Sequence, residues 1–166
     1  VFKATIDTEA HWLVTAGIGS LGLMKPDPRE GYWKHELMYD MPQRLGMIDV
    51  DNDGVMEVGY ALANRNRFMC RDLWTGNIEW EVTLPHPINA PVITADVDGD
   101  GKGEFLVDRF CIGTNDHGQG EIRFQLPQPL GYGLIADFDG DGVGEIACSH
   151  PGGISILKPQ LASPVA

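Results

Sequence analysis

A nine-residue acidic block that occurs three times constrains this chain more than any other feature. The copies are DVDNDGVME at 49–57, DVDGDGKGE at 96–104 and DFDGDGVGE at 137–145, separated by 47 and 41 residues. A repeat period in the low forties is typical of β-propeller blades and of helical HEAT-type repeats. The residues around the blocks have to decide between these two architectures.

Short apolar segments flank every block. Those that precede the three copies are residues 45–48, 92–95 and 134–136, and those that follow are residues 58–62, 105–107 and 146–148. All are too short for ordinary helices, and several are rich in residues that favour strands. Each block is therefore predicted to be a tight acidic turn between two strands.

A second repeat sets the register of the unit. Trp33 and Trp80 each stand in a strand-like segment and precede the first Asp of a block by 16 residues. Phe124 is the corresponding aromatic residue of the third copy, although it lies closer to its block. We predict that Trp33 and Trp80 are core residues.

The repeat unit is predicted to contain four short antiparallel strands, which is the architecture of a propeller blade. The fold class is therefore all-β, with about four blades in a partial or small β-propeller. The chain divides into a degenerate blade without an acidic block (1–42), two blades (43–88 and 89–130), a short final blade (131–158) and a tail (159–166). In the degenerate blade, strands are predicted at 11–15 and 32–38. Since propellers close with about four to eight blades, we expect a fragment of a larger ring, a minimal ring, or a piece completed by another chain.

The acidic blocks have the composition of calcium loops. Each carries carboxylates at positions 1, 3, 5 and 9 and Gly at position 6, and together they hold half of the 24 acidic residues. Crowded like charges repel one another, and a divalent cation relieves that repulsion. Calcium takes six to eight oxygen ligands, which suits such oxygen-rich loops. With one ion in each block, about three Ca²⁺ ions are predicted. The predicted ligands are Asp49, Asp51, Asp53, Val55, Glu57, Asp96, Asp98, Asp100, Lys102, Glu104, Asp137, Asp139, Asp141, Val143 and Glu145, of which Val55, Lys102 and Val143 would offer backbone carbonyls.

Other interpretations of the blocks are weaker. Asn52, Gly99 and Gly140 at position 4 tolerate positive φ, so we assign that position to turn geometry. An EF-hand needs its last Glu at position 12 and flanking helices, whereas these blocks place it at position 9. Magnesium prefers to keep its waters. A plain hairpin turn is the remaining alternative, but a turn does not require a Glu three residues after its Gly.

These blocks resemble the calcium-binding FG-GAP or VCBS repeats of integrin α-subunit propellers and of secreted microbial proteins. The resemblance covers about residues 43–157 and rests on D-x-D-G-D-G-x-x-E followed by an apolar strand. It implies a structural ion in a loop between the first two strands of a blade, held by the twelve acidic residues of the blocks. No clear FG…GAP pair is present. The segment LWTGNIEWEVTLP at 73–85 also resembles quinoprotein-like propeller repeats.

Charge and motifs narrow the possible functions. A formal net charge of −12 disfavours nucleic acid as a partner. The sequence contains no run of 18 apolar residues, so no membrane-spanning helix is predicted. We assign no catalytic residue, because the five histidines do not recur at equivalent positions and no nucleophile motif is present. The three cysteines show no metal spacing and are interpreted as buried thiols, with one disulfide as the alternative.

The predicted function is a non-catalytic, calcium-stabilised module for binding, adhesion or scaffolding, with a protein or glycan ligand. One alternative is the propeller portion of a secreted polysaccharide lyase similar to rhamnogalacturonan lyases. Another is a self-assembling subunit, a homo-oligomer joined through open blade edges. The predicted location is extracellular, periplasmic or at the cell surface, where free calcium is high. The start at Val1 suggests a processed or excised piece.

Overall fold

The computed structural model describes residues 2–6, 9–15, 20–24, 31–36, 42–62, 64–140, 144–150 and 152–158. Within these ranges, side chains are described for residues 20–23, for 33–35 and from 44 onward. All regular secondary structure in this part of the chain is β-strand. No helix found there has the length and apolar character needed to cross a bilayer.

Four antiparallel sheets follow one another along the chain, with the strands of each sheet in sequence order. Sheet 1 contains β1 (Phe2–Ile6), β2 (Glu9–Thr15), β3 (Ser20–Met24) and β4 (Gly31–Glu36). Sheet 2 contains β5 (Pro42–Ile48), β6 (Glu57–Leu62), β7 (Arg67–Asp72) and β8 (Ile78–Thr83). Sheet 3 contains β9 (Val92–Ala95), β10 (Glu104–Val107), β11 (Phe110–Thr114) and β12 (Gly120–Gln125). Sheet 4 contains β13 (Gly133–Ala136), β14 (Glu145–His150) and β15 (Gly153–Leu157).

Successive four-stranded up-and-down sheets are propeller blades, so the predicted all-β, partial-propeller fold is confirmed. In sheet 1 the sequence predicts only the strands that correspond to β2 and β4. Residues 37 and 38 of the second predicted strand, and the tail 159–166, lie outside the described residues. β1 and β3 complete a four-stranded sheet that lacks an acidic loop.

The strands after the first two acidic blocks lie in the middle of the packing, and the strand after the third, β14, is partly buried. Every residue of β6 and of β10 is buried, whereas β8 alternates between exposed and buried positions. A strand that is buried on both faces belongs to a sheet covered on both sides. The acidic loops therefore sit where buried inner strands begin.

Sheets 2 and 3 pack face to face around Phe105. Its ring lies 5.1 Å from that of Phe68 and 6.2 Å from that of Trp80, measured between centroids. A Cβ added to Gly59 in β6 would lie 2.5 Å from the Phe105 ring. Glycine at this position lets the aromatic side chain of one sheet reach the backbone of the next.

The repeated tryptophans connect one sheet to the next. A Cβ at Gly76 would overlap the ring of Trp33, and a Cβ at Gly120 would overlap the ring of Trp80, so each ring covers a glycine of the following sheet. Each ring also donates its Nε1–H to that sheet, at 2.9 Å for Trp33 and at 3.0 Å to Thr114 Oγ1 for Trp80. Both tryptophans pack against buried clusters, which confirms their predicted core role.

Sheet 4 carries an exposed apolar face, which we define by Leu134, Ile154 and Ile156. All three side chains are more than half exposed, and Leu134 and Ile156 flank the same residue of β14. In sheet 3, Ile93 and Cys111 hold the positions of Leu134 and Ile156, and there they pack against sheet 4. The exposed face of sheet 4 is thus equivalent to the face of sheet 3 that packs against the next sheet in the chain.

The three cysteines are buried free thiols, as predicted. Burial raises the pKa of Cys70 and of Cys111 far above that of an exposed thiol. A protonated, inaccessible thiol is a small apolar core residue rather than a nucleophile.

Candidate metal centres

The first Asp of each block organises its turn. Asp49 Oδ1 accepts a hydrogen bond from the amide of Asn52 at 2.7 Å, and its Oδ2 accepts one from the amide of Gly54 at 2.9 Å. Asp96 accepts the same two bonds in the second loop, at 2.7 and 3.0 Å, and Asp137 accepts the first of them at 2.6 Å. The first two loops therefore share one backbone conformation, and the described residues 137–140 of the third loop begin in the same way.

Positive φ angles explain the residues at positions 4 and 6. Position 4 has φ of 64° at Asn52, 76° at Gly99 and 79° at Gly140, and position 6 has 87° at Gly54 and 88° at Gly101. Only Gly, and at some cost Asn, adopts this region readily. The assignment of position 4 to turn geometry is confirmed.

The Glu at position 9 closes the loop. Glu57, Glu104 and Glu145 begin β6, β10 and β14, are almost fully buried, and each accepts through Oε2 a bond of 2.7–2.8 Å from the amide at position 2. A plain turn does not require this Glu, but here the Glu also serves the turn, because it accepts a hydrogen bond from a loop amide. One oxygen of the carboxylate holds the loop, and the other takes no part in that bond.

Each loop brings several carboxylates together. One oxygen from each member of a group lies within 4.8 Å of the others, and the groups are Asp49, Asp51 and Asp53; Asp96, Asp98 and Glu104; and Asp137, Asp139 and Glu145. Positions 1, 3 and 9 thus converge in the second and third loops, whereas positions 1, 3 and 5 converge in the first.

The remaining predicted ligands divide into two sets. Asp100 stands apart from the group of its own loop, and its Oδ1 accepts a bond of 2.8 Å from the amide of Lys102. Asp53 Oδ1 accepts the equivalent bond of 2.7 Å from the amide of Val55. The other predicted ligands, Asp141 and Val143, lie outside the described residues.

Glu104 and Glu145 each keep one buried oxygen without a hydrogen bond. Both Oε1 atoms are inaccessible to solvent and accept no hydrogen bond from the described residues. Burial, opposed by the Val97 amide and reinforced by nearby aspartates, raises the pKa of Glu104 to about 7. An unsatisfied buried carboxylate oxygen is costly, and coordination of a hard cation removes that cost. The donor set, aspartates plus an orphaned Glu oxygen, fits Ca²⁺.

Basic side chains approach two of the three loops. Arg123 Nη2 lies 2.7 Å from Asp98 Oδ2 and 3.5 Å from Asp100 Oδ2, and its Nη1 lies 3.6 Å from Glu104 Oε1. Lys158 Nζ lies 2.7 Å from an aspartate oxygen of the third loop. Neither residue was predicted, because Arg123 lies on β12 and Lys158 directly follows β15, both well beyond the blocks in sequence.

The first loop faces additional acids instead. Oxygens of Glu57, Asp72 and Glu79 lie within 4.8 Å of one another. Burial and the charges of Asp51, Asp72 and Asp53 raise the pKa of Glu79. Asp72 and Glu79 belong to β7 and β8 and were not predicted as site residues, since only strand pairing brings them beside the block.

A His–Ser pair in sheet 4 does not have the polarity of a catalytic pair. His150 Nδ1 accepts the amide proton of Gly152 at 3.1 Å, so the proton of the neutral ring is on Nε2, 2.8 Å from Ser155 Oγ. A general base must accept the hydroxyl proton through an unprotonated nitrogen. This arrangement instead fixes the turn between β14 and β15.

Comparison with known proteins supports the fold. No protein-family model matches the chain, and no curated protein matches it. Among solved structures, the Vibrio cholerae biofilm matrix protein Bap1 matches with a TM-score of 0.63 and 17% identity over 87% of this chain and 26% of that one. BBS1N, solved in complex with ARL6DN, matches with a TM-score of 0.63 and 16% identity over 94% of this chain and 45% of that one.

BamB from Moraxella catarrhalis also matches, with a TM-score of 0.54 and 16% identity over 89% of this chain and 41% of that one. The chain thus spans between about a quarter and a half of the length of these proteins. At such low identity the likeness shows a β-propeller fold alone, and it does not distinguish FG-GAP or VCBS repeats from other propeller repeats.

Proposed function

We propose that this chain is a calcium-stabilised, non-catalytic β-propeller module that presents its surface to a protein or glycan ligand. The observation that carries the calcium part is the buried Oε1 of Glu104 and of Glu145, each unsatisfied and each within a group that contains two aspartates. A structural ion there connects the loop to the first residue of the inner strand. Its coordination gives these buried oxygens the direct partner that they otherwise lack, since the nearest basic nitrogens lie 3.6 Å from Glu104 Oε1 and 3.3 Å from Glu145 Oε1.

The stabilisation follows from mass action. An ion that binds only the folded protein adds RT ln(1 + [L]/Kd), which is about 4 kcal/mol for one site when calcium is a thousandfold above Kd. Such saturation suits millimolar calcium, and we therefore place the module outside the cell, at the cell surface or in the periplasm. The similarity to a biofilm matrix protein is consistent with a role in adhesion or scaffolding.

The test compares thermal unfolding in EDTA and in millimolar Ca²⁺ for the unmodified chain and for Asp98→Asn/Asp100→Asn. We expect calcium to raise the melting temperature of the unmodified chain, and the variant to lose about one third of the bound ions in a calcium titration, because only the second loop is altered. The matched control is Glu121→Gln, which removes an exposed acid of the same sheet outside the loops. An unmodified chain whose melting does not depend on calcium contradicts the proposal.

A second candidate is self-assembly, and the exposed apolar face of sheet 4 favours it. The equivalent face of sheet 3 is covered by another sheet. We propose that a second copy of this chain covers Leu134, Ile154 and Ile156 in the same way. The lyase alternative gains no comparable observation and stays a prediction.

A further inference from the structure

The three acidic loops differ in the residue that the outer strands direct at them. β8 and β12 each pair with the neighbouring strand through a bulge. In β8, Trp80 pairs with Cys70 and Ile78 pairs with Arg71, so Glu79 between them has no partner residue on β7. In sheet 3 the same irregularity leaves Arg123 unpaired, between the partners of two consecutive β11 residues. A β-bulge re-aims the side chain of the extra residue. Glu79 and Arg123 are therefore structurally equivalent residues of opposite charge.

A second equivalent position shows the same contrast. Glu57 pairs directly with Asp72 on the third strand of its sheet. In sheet 4, Ile146 pairs with Leu157 on the antiparallel strand β15. Lys158, the next residue after Leu157, therefore lies opposite Glu145, the residue before Ile146. Lys158 Nζ lies 3.3 Å from the orphaned Oε1 of Glu145. The third loop thus faces a cation at the position where the first loop faces an acid.

Each basic residue sits where a metal ion would compete with it. Arg123 lies within 4 Å of three carboxylates of the second loop, and its own side chain is three quarters buried. In the first loop, by contrast, none of the carboxylates makes an ion pair with a Lys or Arg among the described residues. The loops carry related acids but unequal net charge.

We propose that Arg123 and Lys158 are built-in counter-cations that lower the calcium affinity of the second and third loops and hold those loops together when calcium is absent. This inference rests on the proposed calcium function. Its consequence is a graded series, in which the first loop, with Glu79 in place of Arg123, binds calcium most tightly. The module then responds to calcium over a wide concentration range rather than at one threshold.

The magnitude follows from electrostatics. A positive charge a few ångströms from a divalent ion opposes its binding, and even in a partly solvated site this repulsion amounts to at least a factor of about ten in affinity. Removal of the Arg123 charge should therefore raise the calcium affinity of the second loop about tenfold. It should also lower the melting temperature in calcium-free buffer, because Asp98 and Glu104 lose their counter-charge.

The experiment is a calcium titration of the full chain followed by amide NMR. The amides of Gly54 and Gly101 donate to the first Asp of loops one and two, so their signals report on each loop separately. We expect Gly54 to respond at lower calcium than Gly101 in the unmodified chain. Arg123→Gln should move the Gly101 response about tenfold lower, and Glu79→Arg should move the Gly54 response higher by a similar factor.

Controls separate charge from general damage. Arg109→Gln removes a charge from the same sheet at the end away from the loop, and Glu79→Gln separates loss of charge from its reversal. Unchanged Gly101 titration in Arg123→Gln, with normal calcium binding by the unmodified chain, overturns this inference alone. If the unmodified chain binds no calcium, the proposed function fails and the affinity series fails with it. Reduced calcium-free melting of Arg123→Gln then still identifies Arg123 as a counter-cation.

Discussion

Replacement of Gly120 by Ala tests how one blade is joined to the next. The added Cβ would lie 2.6 Å from Trp80 Cδ2 and closer still to its Cε3, separations that require the ring to move. Trp80 cannot move freely, since it is 6% exposed and its Nε1 donates to Thr114 Oγ1 at 3.0 Å. Gly120 does not have a positive φ, so the backbone itself accepts Ala.

The cost can be estimated from these contacts. Overpacking costs about 1–3 kcal/mol, and loss of the Trp80–Thr114 bond adds about 0.5–1.5 kcal/mol. The reduced entropy of the unfolded chain offsets about 0.4–1 kcal/mol. The net destabilisation is about 2 kcal/mol, which corresponds to a melting temperature lowered by roughly 4–8 °C in a chain of this size.

The assay is urea unfolding of a double-mutant cycle that combines Gly120→Ala with Trp80→Phe. The smaller ring makes room for the Cβ, so Gly120→Ala should cost at least about 1 kcal/mol less in the Trp80→Phe background than in the unmodified one. Equal costs in both backgrounds, or a cost below about 0.5 kcal/mol in the unmodified chain, would refute the steric argument.

Two further predictions concern charge and assembly. In calcium-free buffer the chain should lose stability as pH rises from about 5 to about 8, because burial raises the folded-state pKa of Glu104 to about 7 and that of Glu57 to about 8. The stability gained by protonating these carboxylates is fully present below their unfolded pKa of 4.5 and is lost as pH rises through the folded pKa values. Glu104→Gln should flatten this pH profile of the free energy of unfolding, measured by chemical denaturation. For assembly, sedimentation velocity should show that the unmodified chain associates as its concentration rises. Ile154→Glu/Ile156→Glu should abolish this association, whereas the matched surface change Ile78→Glu should preserve it. A chain that is monomeric at every concentration would rule out the self-assembling subunit.

Much of the fold follows from local sequence. The spacing of three acidic blocks and their apolar flanks predicted strand–turn–strand units, because period and strand length are properties of short segments. The equal distance from Trp33 and from Trp80 to the following block predicted the register of the repeat. In sheet 1 the strands β1 and β3 were missed, since no acidic block marks the region, although Phe2, Ala4 and Ile6 of β1 alternate with polar residues.

The chemistry of the loops divides in the same way. By itself the sequence determined that carboxylates gather at each turn and where φ must be positive, because Asp, Asn and Gly act on their own backbone within a few residues. Only the tertiary structure decided that Glu104 uses one oxygen to hold the loop and that Arg123 meets the second loop where Glu79 meets the first. Those pairings depend on strand register and on a bulge, which join residues about 20 positions apart and leave no trace in local spacing.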